Sequence, residues 1–519
     1  MHARTPSWRT ASLQRTPDDS TAQAAGGPQP TRPWHARLKK VALIAAAILA
    51  LVALVATAAR THIRQRMLGA RLAARCRSTD PEAARRTIFV SVVARGPDDE
   101  RAAVDLIGAL FDRARHPARV HVGLCRAAAD DDDDDDDSSS SRSDKGSTGR
   151  REVDDFFRAY RAAYAHHGRR FRGNIRVLSE EPGAARGPSN AMLLVQRHLY
   201  RGQRYYATAS VDCRPQRGWD TVALRDLDRA MLHRTETTAA AATAGATGSA
   251  RRVVITMALD DDDDGSGDND GDNNADGDFD DGLLDDGDNG GARAGARNVP
   301  PTFGVFETWS PRGIPVVRAR TFRHAPVRPF GTPFWHSAFS LCEAAPLLAA
   351  SPWDPWYEHL SMSGAVDWCT SLRLWTRGWD FYSPTRALVT RARPPPGDST
   401  AEAALTSPVA AEEREAAYMR AWTLLGMVRD SPIRLGEYGL GAARGVADYV
   451  AVSGIDWVER RALAHAFVGM VPLAKPKSQA VGAAATAPPF DHQEVISKYG
   501  SWARFLDETD YRGGAVVRW

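Results

Sequence analysis

The chain has 519 residues, 43% of them apolar, so it is long enough for two or three domains and rich enough to bury a real core. Its 67 Lys and Arg nearly balance 64 Asp and Glu, a net charge of +3, so bulk charge points to no nucleic-acid partner. Five cysteines, Cys76, Cys125, Cys213, Cys342 and Cys369, show no Cys-x-x-Cys and no metal-ligand spacing.

Residues 1–40, rich in Pro, Thr, Ser, Gln and Arg without a period, read as a disordered cytosolic tail. The uncharged run from Val41 to Ala59 is about long enough to cross a hydrocarbon core at helical rise. It lies too far from the start and is too long for a signal-peptide core, so it reads as a retained single-pass anchor. Basic residues flank both sides (Arg37, Lys39 and Lys40; Arg60, Arg64 and Arg66), so charge bias does not set the orientation. The large domain that follows favours a cytosolic N-terminus. Residues 60–86, Arg- and Ala-rich, read as a helical stem.

From Thr87 the pattern alternates. Strands are expected over Thr87 to Val93, Arg119 to Leu124, Asn174 to Leu178 and Arg252 to Thr256, with helices over Ala102 to Arg115 and Asn190 to Tyr200. Such alternation argues an α/β fold with a mainly parallel sheet and helices on both faces. Two acidic low-complexity segments, at about 128–150 and 260–298, interrupt it and read as solvated surface insertions. Asp272 to Gly277 fits the first half of a calcium loop, but its twelfth position is Leu283, which cannot supply the closing carboxylate. Asp367 to Trp375 carries apolar residues at helical spacing with Asp367 in the first turn, where it favours the helix dipole. A helix runs from Ala401 through Ala417 to Leu425; residues 458–519 form an extension with one helix, Ala462 to Val468.

The stretch Tyr205 to Asp220 is an apolar run that breaks into a polar knot, Ser210-Val211-Asp212-Cys213-Arg214, and closes on Gly218-Trp219-Asp220. Ligands of doubly wound sheets sit where strands end in loops, so an acid there is placed to meet one. Around it lie Ala185-Arg186-Gly187-Pro188, Gly313-Ile314-Pro315-Val316-Val317-Arg318, Pro333-Phe334-Trp335, Arg373-Leu374-Trp375-Thr376-Arg377-Gly378-Trp379-Asp380, Tyr438-Gly439-Leu440-Gly441 and Ser453-Gly454-Ile455-Asp456. In this order, from Thr87 to Trp457, they resemble the GlcNAc-transferase family of the Skp1 hydroxyproline GlcNAc-transferases and the trypanosome mucin-type polypeptide α-GlcNAc-transferases.

The resemblance implies a GT-A-like domain over 87–457 that moves GlcNAc from UDP-GlcNAc, with retention, to Ser/Thr or hydroxyproline of a protein or glycoprotein acceptor. With the anchor it implies a type II Golgi membrane protein with a lumenal catalytic domain, in which the cysteines allow up to two disulfides. Where the family has Asp-x-His, this chain has Ser210-Val211-Asp212; where it has Gly-Glu-Glu, Ala365-Val366-Asp367; its late His corresponds to Arg391. The family's Arg after Arg186 appears as Met192. The positions carried over are therefore Asp367 as the carboxylate facing sugar and acceptor, Asp212 as the ligand of Mn2+ or Mg2+, and Arg95, Arg186, Ser210, Arg214 and Arg391 around the donor diphosphate. One acid could hold an ion together with diphosphate and water, or Arg391 and Arg214 could neutralise the diphosphate directly. Cys213 reads as structural, and Trp335 and His336 as packing or lining an acceptor groove. The altered positions also fit a catalytically impaired relative that binds nucleotide or glycan, or assists an active partner.

Overall fold

The computed structural model describes residues 85–127, 148–180, 187–241, 252–259, 299–357, 360, 362–392, 408–469, 490–491 and 516–518, and single positions between 45 and 70. Two compact units are separable, Met1–Arg64 and Gln65–Trp519. In the first, the described residues are helical, and Ile48, Leu49, Val52 and Val55 are each more than half exposed. Thr57 returns its hydroxyl to the Ala53 carbonyl at 2.7 Å, as a polar side chain does on an apolar helix. Among the described residues, no helix is long and apolar enough to cross a membrane. The expected span at 41–59 is only partly among them, and both acidic insertions and the calcium-like loop lie mostly or wholly outside them.

The second unit starts with β1 (Ile88–Ala94), α1 (Pro97–Arg113), β2 (Val120–Ala127), α2 (Thr148–Ala163), β3 (Ile175–Glu180) and α3 (Pro188–Leu194). It continues with β4 (Tyr205–Ala209), β5 (Cys213–Pro215), α4 (Trp219–Ala241), β6 (Val253–Met257), β7 (Thr302–Trp309), β8 (Pro315–Thr321), β9 (Phe330–Thr332), β10 (Phe339–Glu343) and α5 (Ala344–Ala349). Then follow α6 (Asp367–Thr376), β11 (Asp380–Ser383), β12 (Val389–Arg391), α7 (Pro408–Leu424), α8 (Val446–Ser453), β13 (Ile455–Asp456), β14 (Arg461–Leu463), β15 (Phe490–Asp491) and β16 (Val516–Arg518). Eight strands form one sheet in the order β3-β2-β1-β4-β10-β6-β11-β9. The β1–β2, β2–β3, β1–β4 and β6–β11 pairs are parallel; β10 runs antiparallel to both its neighbours, and β9 antiparallel to β11.

Both faces are buried, which is why the strands read as continuous apolar runs. Along β1, Ile88, Val90 and Val92 face one core with α1, α2 and α4, while Phe89 faces a second with α3 and α6. The expected helix at Ala102 in fact begins at Pro97: proline suits the first helical position, and Asp98, Asp99 and Glu100 complement the dipole. The expected Asn190 to Tyr200 helix runs from Pro188 to Leu194 and closes as a wider turn over Val195–Leu199. The helix expected at Ala462 to Val468 is corrected: residues 461–463 are β14, paired with β13 and β16, before a short 3-10 turn at Ala464–Phe467. Long-range strand pairing has overridden a weak local helical pattern there.

The long Arg-Leu-Trp-Thr-Arg-Gly segment is a clamp. Arg373, buried, donates to the carbonyls of Pro352 (3.1 Å) and Ser351 (2.5 Å), and Arg377 to those of Ala350, Glu437 and Gly439. Thr376 accepts the Gly441 N–H on its hydroxyl at 2.9 Å and the Ala443 N–H on its carbonyl at 3.0 Å. Gly441 is glycine because a Cβ there would meet the Arg377 backbone at 2.7 Å, a contact that rigid backbone cannot relieve. Gly441→Ala should therefore destabilise the fold by about 1–3 kcal/mol in denaturant titrations, the range for overpacking; an unchanged midpoint would refute the clamp.

Candidate active site

The carboxyl ends of β4 and β6 meet the start of β10, with Ala209 and Met257 both opposite Phe339. The residues just before Phe339 tie two candidate acids to this edge. On one side, the Ser210 N–H donates to the Ala338 carbonyl at 2.9 Å and the Cys213 thiol donates to the same carbonyl at 3.1 Å. On the other, Ser337 donates its N–H (3.1 Å) and its hydroxyl (3.2 Å) to Asp367 Oδ2. Consecutive residues thus link the Ser210–Asp212 turn to the first turn of α6.

Asp367 is buried, and no described residue bonds its Oδ1. Burial pushes its carboxyl up to about 8 even though the Ser337 bonds pull the other way. It lines a concavity with His336, Trp335, Phe334, Gly364, Trp368 and Ser371. His336 is a second buried group there, its backbone N–H donating to Thr256 Oγ1 at 2.9 Å and its Nε2 without a partner among the described residues. Burial pushes its imidazole down to about 4, so it is neutral at physiological pH. Asp367 Oδ1 and His336 Nε2 are thus two buried polar atoms without a partner among the described residues, on two side chains that line the same concavity, and a buried polar atom left unpaired is costly.

Asp212 and Ser210 sit at the rim, the Ser210 hydroxyl on Asp212 Oδ2 at 3.3 Å. Strand β12 pairs antiparallel with β5, setting Arg391 opposite Cys213, and the Ala392 N–H reaches the Asp212 carbonyl at 2.6 Å. Burial, then the Asp212 charge, raise the Cys213 thiol to about 12, while Arg391 opposes them, so both charges lie near that sulfur. Arg95 joins the same edge from β1: Ser91 pairs with Thr208, and Arg95 and Asp212 each lie four residues further on. It is exposed, and its backbone N–H donates to Asp99 Oδ2 at 2.9 Å. Arg214 is not brought to the site. It points away from the buried side of β5, towards Arg113 and Tyr164. Arg186 lies outside the described residues. Met192 is buried and accepts the Ser91 hydroxyl at 3.2 Å, a packing role.

At Asp212 the protein offers one carboxylate and one hydroxyl, with an arginine on the next strand. A cation held by Asp212 would take its remaining oxygen ligands from the donor diphosphate and water. The other acid of the motif, Asp220, is structural. Fully buried, it accepts the Arg115 N–H (2.7 Å), the His116 N–H (3.0 Å) and Arg119 Nε (3.1 Å), and Trp219 Nε1 donates to the Leu110 carbonyl at 3.1 Å. Cys125, Cys213, Cys342 and Cys369 are all buried free thiols, so the disulfides allowed by the count do not form among them.

A family model described as "Glycosyltransferase (GlcNAc)" matches residues 87–251 and 300–459, more than half of the chain. No curated protein matches. Among solved structures, S. aureus TarS aligns at 9% identity and TM-score 0.27, over 67% of this chain and 46% of that one. Its 1–349 fragment aligns at 9% and 0.27, over 66% and 76%. A mannosyltransferase, PcManGT from Pyrobaculum calidifontis in complex with GDP-Man and Mn2+, aligns at 11% and 0.30, over 72% and 86%. The chain thus spans less than half of the first of these. By the family match, which covers every strand of the eight-stranded sheet but β6, the rim at Asp212 and Arg391, and the Asp367 helix, this chain belongs to the GlcNAc glycosyltransferase family.

Proposed function

We propose that the chain transfers GlcNAc from UDP-GlcNAc, with retention, to a Ser/Thr or hydroxyproline hydroxyl of a protein acceptor, Asp367 facing the sugar and acceptor. The observation that carries this is the buried Asp367, lining a concavity and tied through the neighbouring residues Ser337 and Ala338 to the turn of Ser210 and Asp212, with Arg391 on the strand beside it. The side chains of Asp367 and Ser371 line the concavity and are the groups to meet sugar hydroxyls. Leaving UDP develops negative charge, and a guanidinium can stabilise it through paired hydrogen bonds. Arg391 takes that role from β12, opposite Cys213 and beside Asp212. Arg391→Ala should lower kcat/KM for UDP-GlcNAc by about 10²–10³-fold, the scale of losing one preorganised donor. Steady-state kinetics with a Ser/Thr-rich acceptor peptide test it; an unchanged kcat/KM would remove Arg391 from the donor site.

The same reading includes anchoring by residues 41–59 in the Golgi membrane, catalytic unit lumenal. The exposed apolar residues Ile48, Leu49, Val52 and Val55 support it, since such a surface is unfavourable in water. Alkaline extraction of membranes from expressing cells should leave the chain in the pellet. A lumenal acceptor class would then consist of secreted or surface glycoproteins.

A further inference from the structure

Far from Asp367, the last turn of α1 meets the turn after α2. Three metal-ligating side chains converge there: Asp112, His166 and His167, with their donor atoms within 4.8 Å of one another. Asp112 Oδ1 lies 2.9 Å from His166 Nε2 and 2.8 Å from His167 Nε2. The other nitrogen of His167, Nδ1, is 2.6 Å from the Tyr160 hydroxyl. Both imidazoles thus aim the same type of nitrogen at one carboxylate oxygen, and one of them is oriented from behind. Metal-binding histidines are held in this way, the ring N–H that does not bind the ion being fixed by a neighbour.

We propose that Asp112, His166 and His167 form a Zn2+ site that pins the turn after α2 to the end of α1. Two imidazoles and a carboxylate suit Zn2+ in kind, whereas Mg2+ and Mn2+ prefer all-oxygen sets. The geometry is close: tetrahedral Zn2+ with bonds of about 2.0–2.1 Å separates its ligand atoms by about 3.3 Å, so the two aspartate–histidine pairs need to open by about 0.5 Å. The side chains of His166 and Asp112 are 9% and 31% exposed, which leaves solvent a way in and room for water as fourth ligand. When the ion binds at Nε2, each imidazole's ring proton moves to Nδ1, where that of His167 is donated to the Tyr160 hydroxyl oxygen, and the carboxylate is bonded to the ion instead of to two N–H groups. Asp112 is in the last turn of α1, beside the start of β2, and so at the opposite edge of the sheet from Asp367. The ion is therefore structural, independent of the sugar chemistry. Arg170 lies close enough to act on His167, and its charge limits the affinity.

The test uses the purified full chain in detergent, stripped with a chelator and titrated with ZnCl2 against a chromophoric competitor, with thermal melting in parallel. One Zn2+ per chain and a raised Tm are expected, with no rise from equal MgCl2. His166→Gln should weaken binding at least about tenfold, and Tyr160→Phe by about 10–100-fold, the cost of losing an outer-shell partner. His166 is only partly buried, so its variant should fold. Absence of stoichiometric Zn2+, or binding unchanged in both variants, would overturn the site and leave the cluster as a hydrogen-bonded staple between neutral imidazoles and Asp112. Neither result depends on whether the chain transfers sugar.

Discussion

Asp367→Asn should cut kcat by about 10²–10⁴-fold, the range for removing a positioned acid–base group, and should at the same time stabilise the protein near neutral pH. The two effects have one origin. Burial holds the carboxyl up to about 8, against about 4 in an unfolded chain. Between those values the folded state keeps a proton that the unfolded state has released. Stability from this group is complete below about pH 4, falls as pH rises, and is gone above about pH 8. The neutral amide does not titrate, so it escapes the loss. Its stability advantage over the wild type should widen by about 1.4 kcal/mol per pH unit between pH 5 and 7 and level off above pH 8. Urea unfolding of both proteins at pH 5, 6, 7 and 8 measures that slope. A flat difference would mean that the carboxyl is already ionised in the fold, and retained turnover would remove it from the chemistry.

Asp220→Ala should be the most damaging single change to the fold, costing about 3–5 kcal/mol, since it leaves a charge buried without its partner. The carboxylate is fully buried, and Arg119, whose side chain is 6% exposed, lies 2.8 Å from it through Nη2. Two backbone N–H groups, of Arg115 and His116, lose their acceptor as well. Against a typical total stability of about 5–15 kcal/mol, that loss is large. A denaturation midpoint within error of the wild type would contradict the assignment, and activity should fall only in proportion to the folded fraction.

Aspartates 212 and 220 show what a sequence can and cannot tell. Both lie in one polar knot after an apolar strand, and the strand itself is plain from Tyr205 to Ala209 because both its faces are buried. What separates their roles is remote. The partners of Asp220 come from residues 115–119, about a hundred positions earlier, whereas Asp212 remains exposed at the rim. Arg214 and Arg391 looked equivalent as diphosphate partners. Their difference follows from the pairing of β5 with β12, which turns neighbouring side chains to opposite faces. Asp367 was legible because helical spacing placed it in a first turn, and it is there. His336 was read only as packing or groove lining; its burial and unpaired Nε2 emerge once β6 and β10 are side by side. The Asp112, His166 and His167 cluster had no local spacing to announce it, because the aspartate lies more than fifty residues from the histidines.

The Gly-Ile-Pro, Arg-Leu-Trp-Thr and Tyr-Gly-Leu-Gly segments that carry the family resemblance are chiefly architectural. Ser310 and Ile314 close the tight turn before β8, with φ +76° at Gly313, and Arg373, Thr376 and Arg377 clamp the chain around Gly439 and Gly441. Such segments keep a fold recognisable while the charged positions change. That separation explains how the family match spans the domain although Ser210 stands where an aspartate is expected.

The most direct test of the account is release of UDP from UDP-GlcNAc by the purified chain with a Ser/Thr-rich acceptor peptide, with EDTA and with Mn2+. Turnover that survives EDTA is predicted by the proposal that Arg391 neutralises the diphosphate. Turnover that requires Mn2+ would contradict the arginine assignment and restore Asp212 as a metal ligand. No turnover with any nucleotide sugar, while UDP still binds, would contradict the transferase itself and identify an impaired relative.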